Sequence, residues 1–433
     1  LKLFSPTGPA LGFNFLDYLC AEMFPVAKDN ELRKRTADKT GDLSDVAKQR
    51  HPCDGTWNVY GIKVSFGSSV ERRLQTLAAT SFSLYIYLPL IIICSLGSLC
   101  LLIFPLTTLP MIAYLAFILF GSDSDSARRT PWLRNLQWWH RFADFFPVTL
   151  VKTAPLPAEG RYVIGYHPHG IISVGAFAAF CTEGASTIDL TREKPEDQQD
   201  EDRRGWESLF PGLDRRLVTL PIQFRVPFLR EYFLSLGLLN SSRKSFRNVL
   251  SADGRALGVV VGGAEEAQLS SPSSIRLVLN KRKGFVREAI LAGAALVPTV
   301  AFGENDLYAV TDFAPGHPVQ KIQAFVLKRF GFSIPMFRGR SIFFKEFGLL
   351  PVRQPLTVVF GAPIPVPAVD AAGFKPEWDK SGEPANSAAE MVDDLHQQYI
   401  EALRALASKS KRADWNVPGR AMMDRQQSLK IET

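Results

Sequence analysis

Two histidines one residue apart are the side chains of this chain best suited to chemistry. The motif Tyr166-His167-Pro168-His169-Gly170 follows an apolar segment, 162–166, that is typical of a strand, and precedes a small-residue stretch, 171–181. Histidine can accept a proton near neutral pH, and α/β folds display reacting groups at strand-to-helix turns. The chain has only 6 histidines, so this pair predicts proton chemistry. A structural pair, with one ring bonded to a backbone carbonyl, is the alternative.

Four further polar blocks lie where predicted strands end or predicted helices begin. The block 237–243 ends in Arg243, whose guanidinium could clamp a phosphate or carbonyl oxygen. The block 262–266 has two glycines, which let a substrate approach the backbone, followed by an alanine and two glutamates. A basic cluster, 281–283, opens a helix, where anions bind well, and residues 304–305 close another strand. Taken singly, each block is better explained as a turn, a helix cap or a surface charge patch.

These blocks are separated by alternating strand and helix patterns. Apolar or β-branched segments predict strands at 216–220, 257–261, 295–302 and 356–360. Helices are predicted at 226–235, 243–251 and 283–291, and helical spacing of apolar residues predicts a closing amphipathic helix over 391–406. The pattern indicates an α/β fold with a mostly parallel sheet and flanking helices.

A long segment, from Leu74 to Ser122, contains no Asp, Glu, Lys or Arg. One helical pass across a bilayer needs roughly 20 apolar residues, so this segment can hold two. We predict a transmembrane hairpin at 74–122, with spans at 77–96 and 99–120 and a turn near Gly97-Ser98. Arginines flank both ends, which predicts that both ends face the cytosol. A buried soluble hairpin is the alternative.

The overall composition favours a membrane-attached enzyme over a multipass transporter. Hydrophobic residues make up 46% and charged residues 21%, as in globular proteins. The net charge of +7 suits an anionic membrane face or an anionic cosubstrate, but the basic residues are scattered, so no nucleic acid is expected as a partner. The 5 cysteines have neither pairing nor metal-ligand spacing, which predicts a reducing environment and no metal site.

These patterns divide the chain into four regions. We predict a variable, partly disordered N-terminal segment at 1–70, the hairpin at 74–122, a catalytic domain at 130–407 and a C-terminal tail at 408–433. Within the catalytic domain, the polar stretch 189–207 has the mixed charge of a solvated insert.

The order of the blocks resembles the glycerolipid acyltransferase superfamily and, within it, the type 2 diacylglycerol O-acyltransferase family. The matching sequence segments include Tyr166–Gly170, Leu209-Phe210-Pro211-Gly212, Val260–Ala264 with Glu266, Arg282-Lys283-Gly284-Phe285-Val286, Leu296-Val297-Pro298 and Phe302-Gly303-Glu304-Asn305. The similarity runs from about residue 72 to residue 406. Such a string of ordered blocks is far more specific than any single block.

The resemblance implies a membrane-anchored α/β acyltransferase that makes triacylglycerol from diacylglycerol and acyl-CoA. His169 is then the expected general base, with His167 as its orienting or oxyanion-donating partner and Glu266 as the acid that orients the imidazole. The expected substrate-binding residues are Pro168, Gly170, Arg243, Gly262, Gly263, Arg282, Lys283, Glu304 and Asn305. No bound cofactor is expected, since acyl-CoA is already activated. The endoplasmic reticulum membrane and the lipid droplet surface are the expected surroundings, and a homo-oligomer is left open.

The chain also departs from the superfamily pattern. An Asp usually follows the histidine by five residues, but Ile172 and Val174 occupy those positions after His167 and His169. Monoacylglycerol or a long-chain alcohol, which gives a wax, is an alternative acceptor. Two other classes are a metal-dependent hydrolase, since His-x-His can ligate zinc, and a membrane-shaping hairpin protein without catalysis.

Overall fold

The computed structural model describes residues 56–59, 62–65, 69–86, 88–121, 130–192, 203–272, 274–311, 317–330, 336–341, 348–366, 386–412 and 427–432. The chain divides into two compact units, Leu1–Asp54 and Gly55–Thr433. The first unit, and with it most of the predicted N-terminal segment, lies outside the described residues. Every element named below belongs to the second unit.

The strands of the described residues are β1 (Thr56–Val59), β2 (Ile62–Ser65), β3 (Val148–Lys152), β4 (Arg161–His167), β5 (Ser186–Asp189), β6 (Asp214–Thr219), β7 (Leu238–Asn240), β8 (Arg255–Val260), β9 (Ser274–Leu277), β10 (Ala295–Phe302), β11 (Ala309–Val310), β12 (Phe337–Arg338), β13 (Leu356–Phe360) and β14 (Gln427–Ile431). The α-helices are α1 (Val70–Ile86), α2 (Leu88–Ile103), α3 (Pro105–Phe120), α4 (Pro131–Arg134), α5 (Gln137–Phe145), α6 (Val174–Cys181), α7 (Gly205–Leu209), α8 (Leu229–Ser235), α9 (Arg243–Leu250), α10 (Gly263–Ala267), α11 (Gly284–Ala292), α12 (Pro318–Phe330) and α13 (Asn386–Arg412).

An 8-stranded sheet, in the order β5-β3-β13-β10-β4-β8-β6-β7, forms the centre of the described structure. Its pairs are parallel except that β10 and β13 are antiparallel. The predicted α/β fold with a mostly parallel sheet is therefore confirmed. Parallel strands place their carboxyl ends at one edge, and β4, β8 and β10 are neighbours there.

Helices cover both faces of this sheet. Successive residues of β4 point to opposite faces, and this shows which helix covers each face. Tyr166 points towards α6, since a Cβ on Gly175 of that helix would collide with its hydroxyl. Gly165 points the other way, towards Tyr399 of α13. Every side chain of α6 is buried, which explains its uninterrupted run of small and apolar residues. The histidine turn between β4 and α6 therefore sits between two covered faces.

The start of the uncharged segment belongs to the core of the sheet unit. Ala78, Ala79 and Phe82 of α1 are fully or almost fully buried. Phe82 packs on Phe142 of α5, with 4.9 Å between the ring centroids, and on Phe177 of α6, at 4.5 Å. The predicted first span, which began at Leu77, is wrong in its boundaries because this part of the segment packs on protein.

The turn within the uncharged segment also differs from the prediction. Gly97 lies inside α2, and the chain turns at Phe104, after which Pro105 begins α3. Proline fits the first position of a helix, where its missing N–H would have no helical partner. The predicted turn at Gly97-Ser98 is therefore wrong, and the actual turn is at the proline.

The helices α2 and α3 pack on each other and leave an apolar surface. Among the described residues, no helix combines the length and the apolar character needed to cross a membrane. Large hydrophobic side chains of these two helices are nevertheless exposed: Ile92, Ile93, Leu96, Leu99, Ile103, Phe104, Leu106, Leu109, Ile112, Phe117, Leu119 and Phe120.

The predicted polar insert and tail each contain ordered structure. Residues 193–202 of the insert lie outside the described residues, but its end forms α7, with Trp206 fully buried. The solvated-loop prediction is therefore wrong for 205–207. In the tail, α13 continues to Arg412, beyond the predicted domain boundary at 407, and β14 pairs in parallel with β9.

Candidate active site

The carboxyl edge of the sheet brings four polar side chains to one turn. His167 is the last residue of β4, the His167–Pro168 peptide bond is cis, and Gly170 has a φ of 60°. Glu266 follows the neighbouring strand β8, and Glu304 follows β10 on the other side. The Glu266 carboxylate accepts a hydrogen bond from the backbone N–H of His169, and the Glu304 carboxylate accepts one from the backbone N–H of Val174 at the start of α6. The structure thus places the predicted residues His167, His169, Glu266 and Glu304 together.

The ring of His169 is fixed in one tautomer by its own loop. Its Nδ1 lies 3.1 Å from the carbonyl oxygen of Gly170. A carbonyl can only accept, so Nδ1 carries the proton and Nε2 keeps a lone pair. Burial lowers the pKa of His169, while the Gly170 carbonyl opposes that shift. His169 as a residue is partly exposed, and its neutral imidazole can act as a proton acceptor through Nε2.

His167 is held differently, by the hydroxyl of Tyr399. That hydroxyl donates its single proton to the carbonyl oxygen of Gly165, at 3.0 Å, and lies 2.9 Å from Nε2 of His167. It must therefore accept from Nε2–H, which leaves Nδ1 as a buried acceptor without a partner among the described residues. Burial lowers the pKa of His167 to about 3. His167 is neutral and fully enclosed, which suits positioning rather than proton transfer.

Glu266 binds the backbone of the turn instead of an imidazole ring. One oxygen accepts from the amide N–H of His169 at 2.6 Å, and the other accepts from Val278 N–H at 3.0 Å. Gly262 is required here, because a Cβ at that position would collide with the Glu266 carboxylate. The expected ring-orienting contact is therefore replaced by a contact that anchors the loop. Burial raises the pKa of Glu266 to about 7.

Glu304 performs the matching task on the other side of the turn. Its two oxygens accept from the amide N–H groups of Val174 and Gly175, at 2.7 and 2.9 Å, and from the Tyr166 hydroxyl at 2.6 Å. The amides are at the N-terminus of α6, where backbone donors lack helical partners. Burial raises the pKa of Glu304 to about 7. This residue, expected to bind substrate, instead fixes the start of α6.

Asn305 and the predicted basic residues have partners of their own. Asn305 is buried and bridges Ser270 and the backbone of Ser274. Arg282 pairs with Glu265 at 3.0 Å and Lys283 with Asp393 at 2.5 Å, on side chains that are about half exposed. Arg243 lies 3.9 Å from Glu288 and begins the helix after β7, three strands from β4, which is roughly 14 Å across the sheet.

Two tyrosines important for this geometry were not predicted as site residues. Tyr399 falls in the apolar stripe of the closing helix, and Tyr166 reads as part of a buried strand. The only sequence signal was the pair Gly165 and Gly175, where a Cβ would collide with the Tyr399 and Tyr166 hydroxyls respectively. A glycine in the middle of a strand or helix indicates a close approach by another group.

The arrangement favours proton transfer to a single neutral imidazole. His169 has a lone pair on Nε2 in a turn fixed by two carboxylates. The two histidine rings are held by different partners, Tyr399 and Gly170. Within the part of the chain that the structure describes, no cluster of three or more His, Cys, Asp or Glu side chains is arranged to hold a metal ion.

Comparison with known proteins agrees with the motif order. Residues 99–194 and 200–421 match the protein family described as Diacylglycerol acyltransferase. The chain belongs to the diacylglycerol acyltransferase family. The predicted family membership, and with it the prediction of an acyltransferase, is confirmed.

Three proteins similar to this chain are named for different acceptors. The chain is 35% identical to Diacylglycerol O-acyltransferase 2A of Umbelopsis ramanniana, over 79% of this chain and 87% of that protein. It is 36% identical to 2-acylglycerol O-acyltransferase 1 of Bos taurus, over 79% of this chain and 92% of the relative. It is also 36% identical to Acyl-CoA wax alcohol acyltransferase 1 of Homo sapiens, over 68% and 80%. No solved structure matches the chain.

Proposed function

We propose that this protein transfers a fatty acyl group from acyl-CoA to the hydroxyl of diacylglycerol, with His169 as the general base. The tautomer of His169 is the observation that carries the proposal, because it leaves Nε2 able to accept the hydroxyl proton. Family membership supports the reaction class. The reaction needs no bound cofactor, because the thioester of acyl-CoA is already activated.

Each step can be assigned to an atom of the turn. As Nε2 of His169 takes the proton, the diacylglycerol oxygen attacks the thioester carbonyl and forms a tetrahedral adduct. The adduct breaks its carbon–sulfur bond, the coenzyme A thiolate leaves, and Nε2–H returns the proton to that sulfur. During the step, the Gly170 carbonyl keeps Nδ1–H in place. Glu266 and Glu304 hold the backbone of the turn so that Nε2 does not move.

The catalytic role is tested with His169→Ala in microsomes of a host that lacks triacylglycerol synthesis. Labelled oleoyl-CoA and diacylglycerol are supplied, and labelled triacylglycerol is measured. A general base contributes about 10²–10⁴-fold, so we expect a loss of that size at unchanged protein level. His317→Ala, on an exposed residue far along the chain, is the control. Normal turnover by His169→Ala would exclude this mechanism.

The acceptor is tested in the same microsomes. Diacylglycerol, monoacylglycerol and a long-chain alcohol are offered in turn with one acyl-CoA, and we expect diacylglycerol to give the highest kcat/KM. The relatives named for 2-acylglycerol and wax alcohol match at similar identity, so the comparison must include all three. A higher value for another acceptor would assign the protein to that activity.

We also propose that α2 and α3 insert into the membrane of the endoplasmic reticulum, with the sheet unit in the cytosol and lipid droplets as a second location. The exposed leucine, isoleucine and phenylalanine side chains of these helices support insertion. Lipid-dissolved acceptors give a reason, since each methylene exposed to water costs about 0.8 kcal/mol.

The contact between α1 and α5, which flank the hairpin in sequence, supports a topology in which both ends of the hairpin are on the cytosolic side of the membrane. Phe82 of α1 packs on Phe142 of α5, so both ends of the hairpin emerge on the same side. Tags placed before Arg72 and after Arg134 should therefore both be cleaved by protease in sealed microsomes. Protection of either tag would contradict the topology.

A further inference from the structure

A buried arginine at the amino edge of the sheet has no anionic partner among the described residues. Arg134 is 2% exposed and donates to the carbonyl oxygen of Leu236 from Nε and Nη2, at 3.0 and 2.7 Å, with a longer contact from Nη2 to Arg215 O. Its Nη1 is buried without a partner, and no carboxylate of the described residues pairs with it. Buried charges are normally paired, because leaving water costs several kcal/mol. Within the described part of the chain, Arg134 is therefore a buried charge without a counter-ion.

The surroundings of Arg134 add positive charge rather than remove it. Burial lowers the pKa of Arg134 to about 9, and the nearby Arg215 and Arg216 add to this shift, while Cys181 and Asp214 oppose it. The nearby acid Asp214 is engaged by Arg216 and Arg255. Gly237 makes this arrangement possible, since a Cβ there would collide with the Arg134 guanidinium. An external anion would stabilise the cluster.

A cavity of about 340 Å³ opens on these arginines. Its lining includes Arg134, Asn135, Arg204 and Arg215, with Glu183 and Glu207 also present. Arg215 pairs with Glu183 at 2.6 Å, and Arg204 pairs with Asp144 at 2.7 Å. The two acids of the cavity do not pair with Arg134. Guanidinium donors match the oxygen atoms of phosphate in charge and geometry, so a phosphate group can supply the missing acceptor.

The cavity is separate from the histidine turn. Arg215 is paired in register with Ala256, which is paired with Tyr162. It therefore lies two strands across from β4 and five residues before His167, a separation of roughly 19 Å from strand geometry. The cavity is instead close to the apolar hairpin α2–α3, because residues at the two ends of α8 contact the hairpin and Arg134 respectively. Phe228, just before α8, donates to Tyr114 of α3, and Leu236, just after it, accepts from Arg134.

We propose that this cavity binds a phosphate group, supplied either as the headgroup of an anionic glycerolipid or as free phosphate. The proposal concerns binding at a second site and is independent of the catalytic assignment of His169. Its position beside the hairpin α2–α3 suits a headgroup at the membrane face, and its volume also admits inorganic phosphate.

The test measures thermal unfolding of the full chain in neutral detergent micelles. One arm adds inorganic phosphate, with chloride at equal ionic strength as the reference. The other arm adds phosphatidate to the micelles, with phosphatidylcholine as the reference. We expect the melting temperature to rise by at least about 2 °C in one arm. A rise with inorganic phosphate identifies free phosphate as a sufficient ligand, and a rise with phosphatidate alone identifies the headgroup.

Asn135 offers a matched pair of variants, because it lines the cavity and is exposed. Asn135→Asp adds a negative charge beside the arginines at almost constant shape and should abolish the rise, whereas Asn135→Ser should keep it. Phosphate also stabilises proteins without binding, so the difference between the two variants is the decisive readout. An equal rise in both variants, or no rise of the wild type in either arm, would overturn the proposal.

Folding of the variants is checked by acyl transfer and by the melting temperature without ligand. If Asn135→Asp is unfolded, Arg204→Gln takes its place, since Arg204 lines the same cavity and is partly exposed. That variant should weaken the phosphate-dependent rise. An unchanged rise in folded Arg204→Gln would contradict the proposal in the same way.

Discussion

The two edges of the central sheet bury different ionisable groups, carboxyl groups at one edge and a guanidinium at the other, in different hydrogen-bonding environments. At the carboxyl edge, every oxygen of Glu266 and Glu304 accepts at least one hydrogen bond, mostly from backbone amides. At the amino edge, Arg134 donates to carbonyl oxygens and keeps Nη1 without a partner among the described residues. A satisfied buried polar group rigidifies its surroundings, whereas an unsatisfied buried charge costs free energy, which a bound counter-ion would reduce. The first edge is therefore built to hold a turn, and the second to receive an anion.

The largest effect is expected from removing a carboxyl group whose hydrogen bonds are satisfied. Glu304→Ala leaves two amide N–H groups and the Tyr166 hydroxyl buried without their acceptor, each costing about 1–3 kcal/mol. We expect the free energy of unfolding to fall by about 3 kcal/mol or more, measured by urea denaturation in micelles. Arg134→Met, at the other edge, should cost less, because an apolar side chain replaces a charge without a counter-ion. The reverse order would break the comparison.

A smaller effect is expected from a single hydroxyl at the carboxyl edge. Tyr399→Phe leaves His167 Nε2–H and the Gly165 carbonyl without their shared partner. We expect a loss of about 2 kcal/mol in stability and a partial loss of acyl transfer, because the strand that carries the turn is loosened. Tyr162→Phe removes a hydroxyl that bonds Pro157 O near the start of the same strand. This control should leave kcat nearly unchanged; an equal loss of kcat in both variants would show that the effect is not specific to the turn.

Much of this carboxyl edge could be predicted from the sequence. The strands β10 and β13 have the predicted bounds, 295–302 and 356–360, because strands buried on both faces read as continuous apolar runs. The placement of His167 at a strand end follows from the same pattern. The polar blocks that follow β8 and β10 then had to lie beside it, since parallel strands end together.

The features that could not be predicted are contacts between residues far apart in the sequence. Glu266 and Glu304 were recognised as site residues, but a sequence does not show that they bond to backbone amides 97 and 130 positions away. The predicted hairpin turn at Gly97-Ser98 differs from the actual turn at Phe104 because an uncharged segment gives few boundary signals. The lone charge of Arg134 was invisible, since its burial arises only when α4 and α8 come together.

The pH dependence of stability sharpens the contrast between the edges. Burial raises the pKa of Glu304 to about 7, whereas a glutamate in an unfolded chain titrates near about 4.3. Between about pH 4.3 and about pH 7, Glu304 is protonated in the folded protein but ionised in the unfolded chain. This contribution to stability is complete below about pH 4.3 and is lost as the pH rises through about 7.

Glu304→Gln removes this titration. The histidines contribute equally to both proteins, so the difference between wild type and variant isolates Glu304. We expect the stability advantage of the wild type to shrink between about pH 5 and pH 7, by at most about 1.4 kcal/mol per pH unit. Urea midpoints at several pH values measure the difference. A wild-type advantage that stays constant between about pH 5 and pH 7 would mean that the folded protein holds Glu304 ionised throughout this range.

The smallest effect on stability is expected at the basic cluster outside both edges. Arg282 and its partner Glu265 are each nearly half exposed, and such ion pairs contribute about 0–1 kcal/mol. Arg282→Gln should therefore change the melting temperature very little. If the cluster binds the phosphates of acyl-CoA, the same variant should raise the KM for acyl-CoA several-fold while kcat stays near the wild-type value, since the guanidinium would act in binding rather than in chemistry. Glu265→Gln removes the ion pair but leaves the cation, so its KM should stay the same or fall. Equal KM values in both variants would assign Arg282 to the surface ion pair alone and leave the coenzyme A phosphates to other cations.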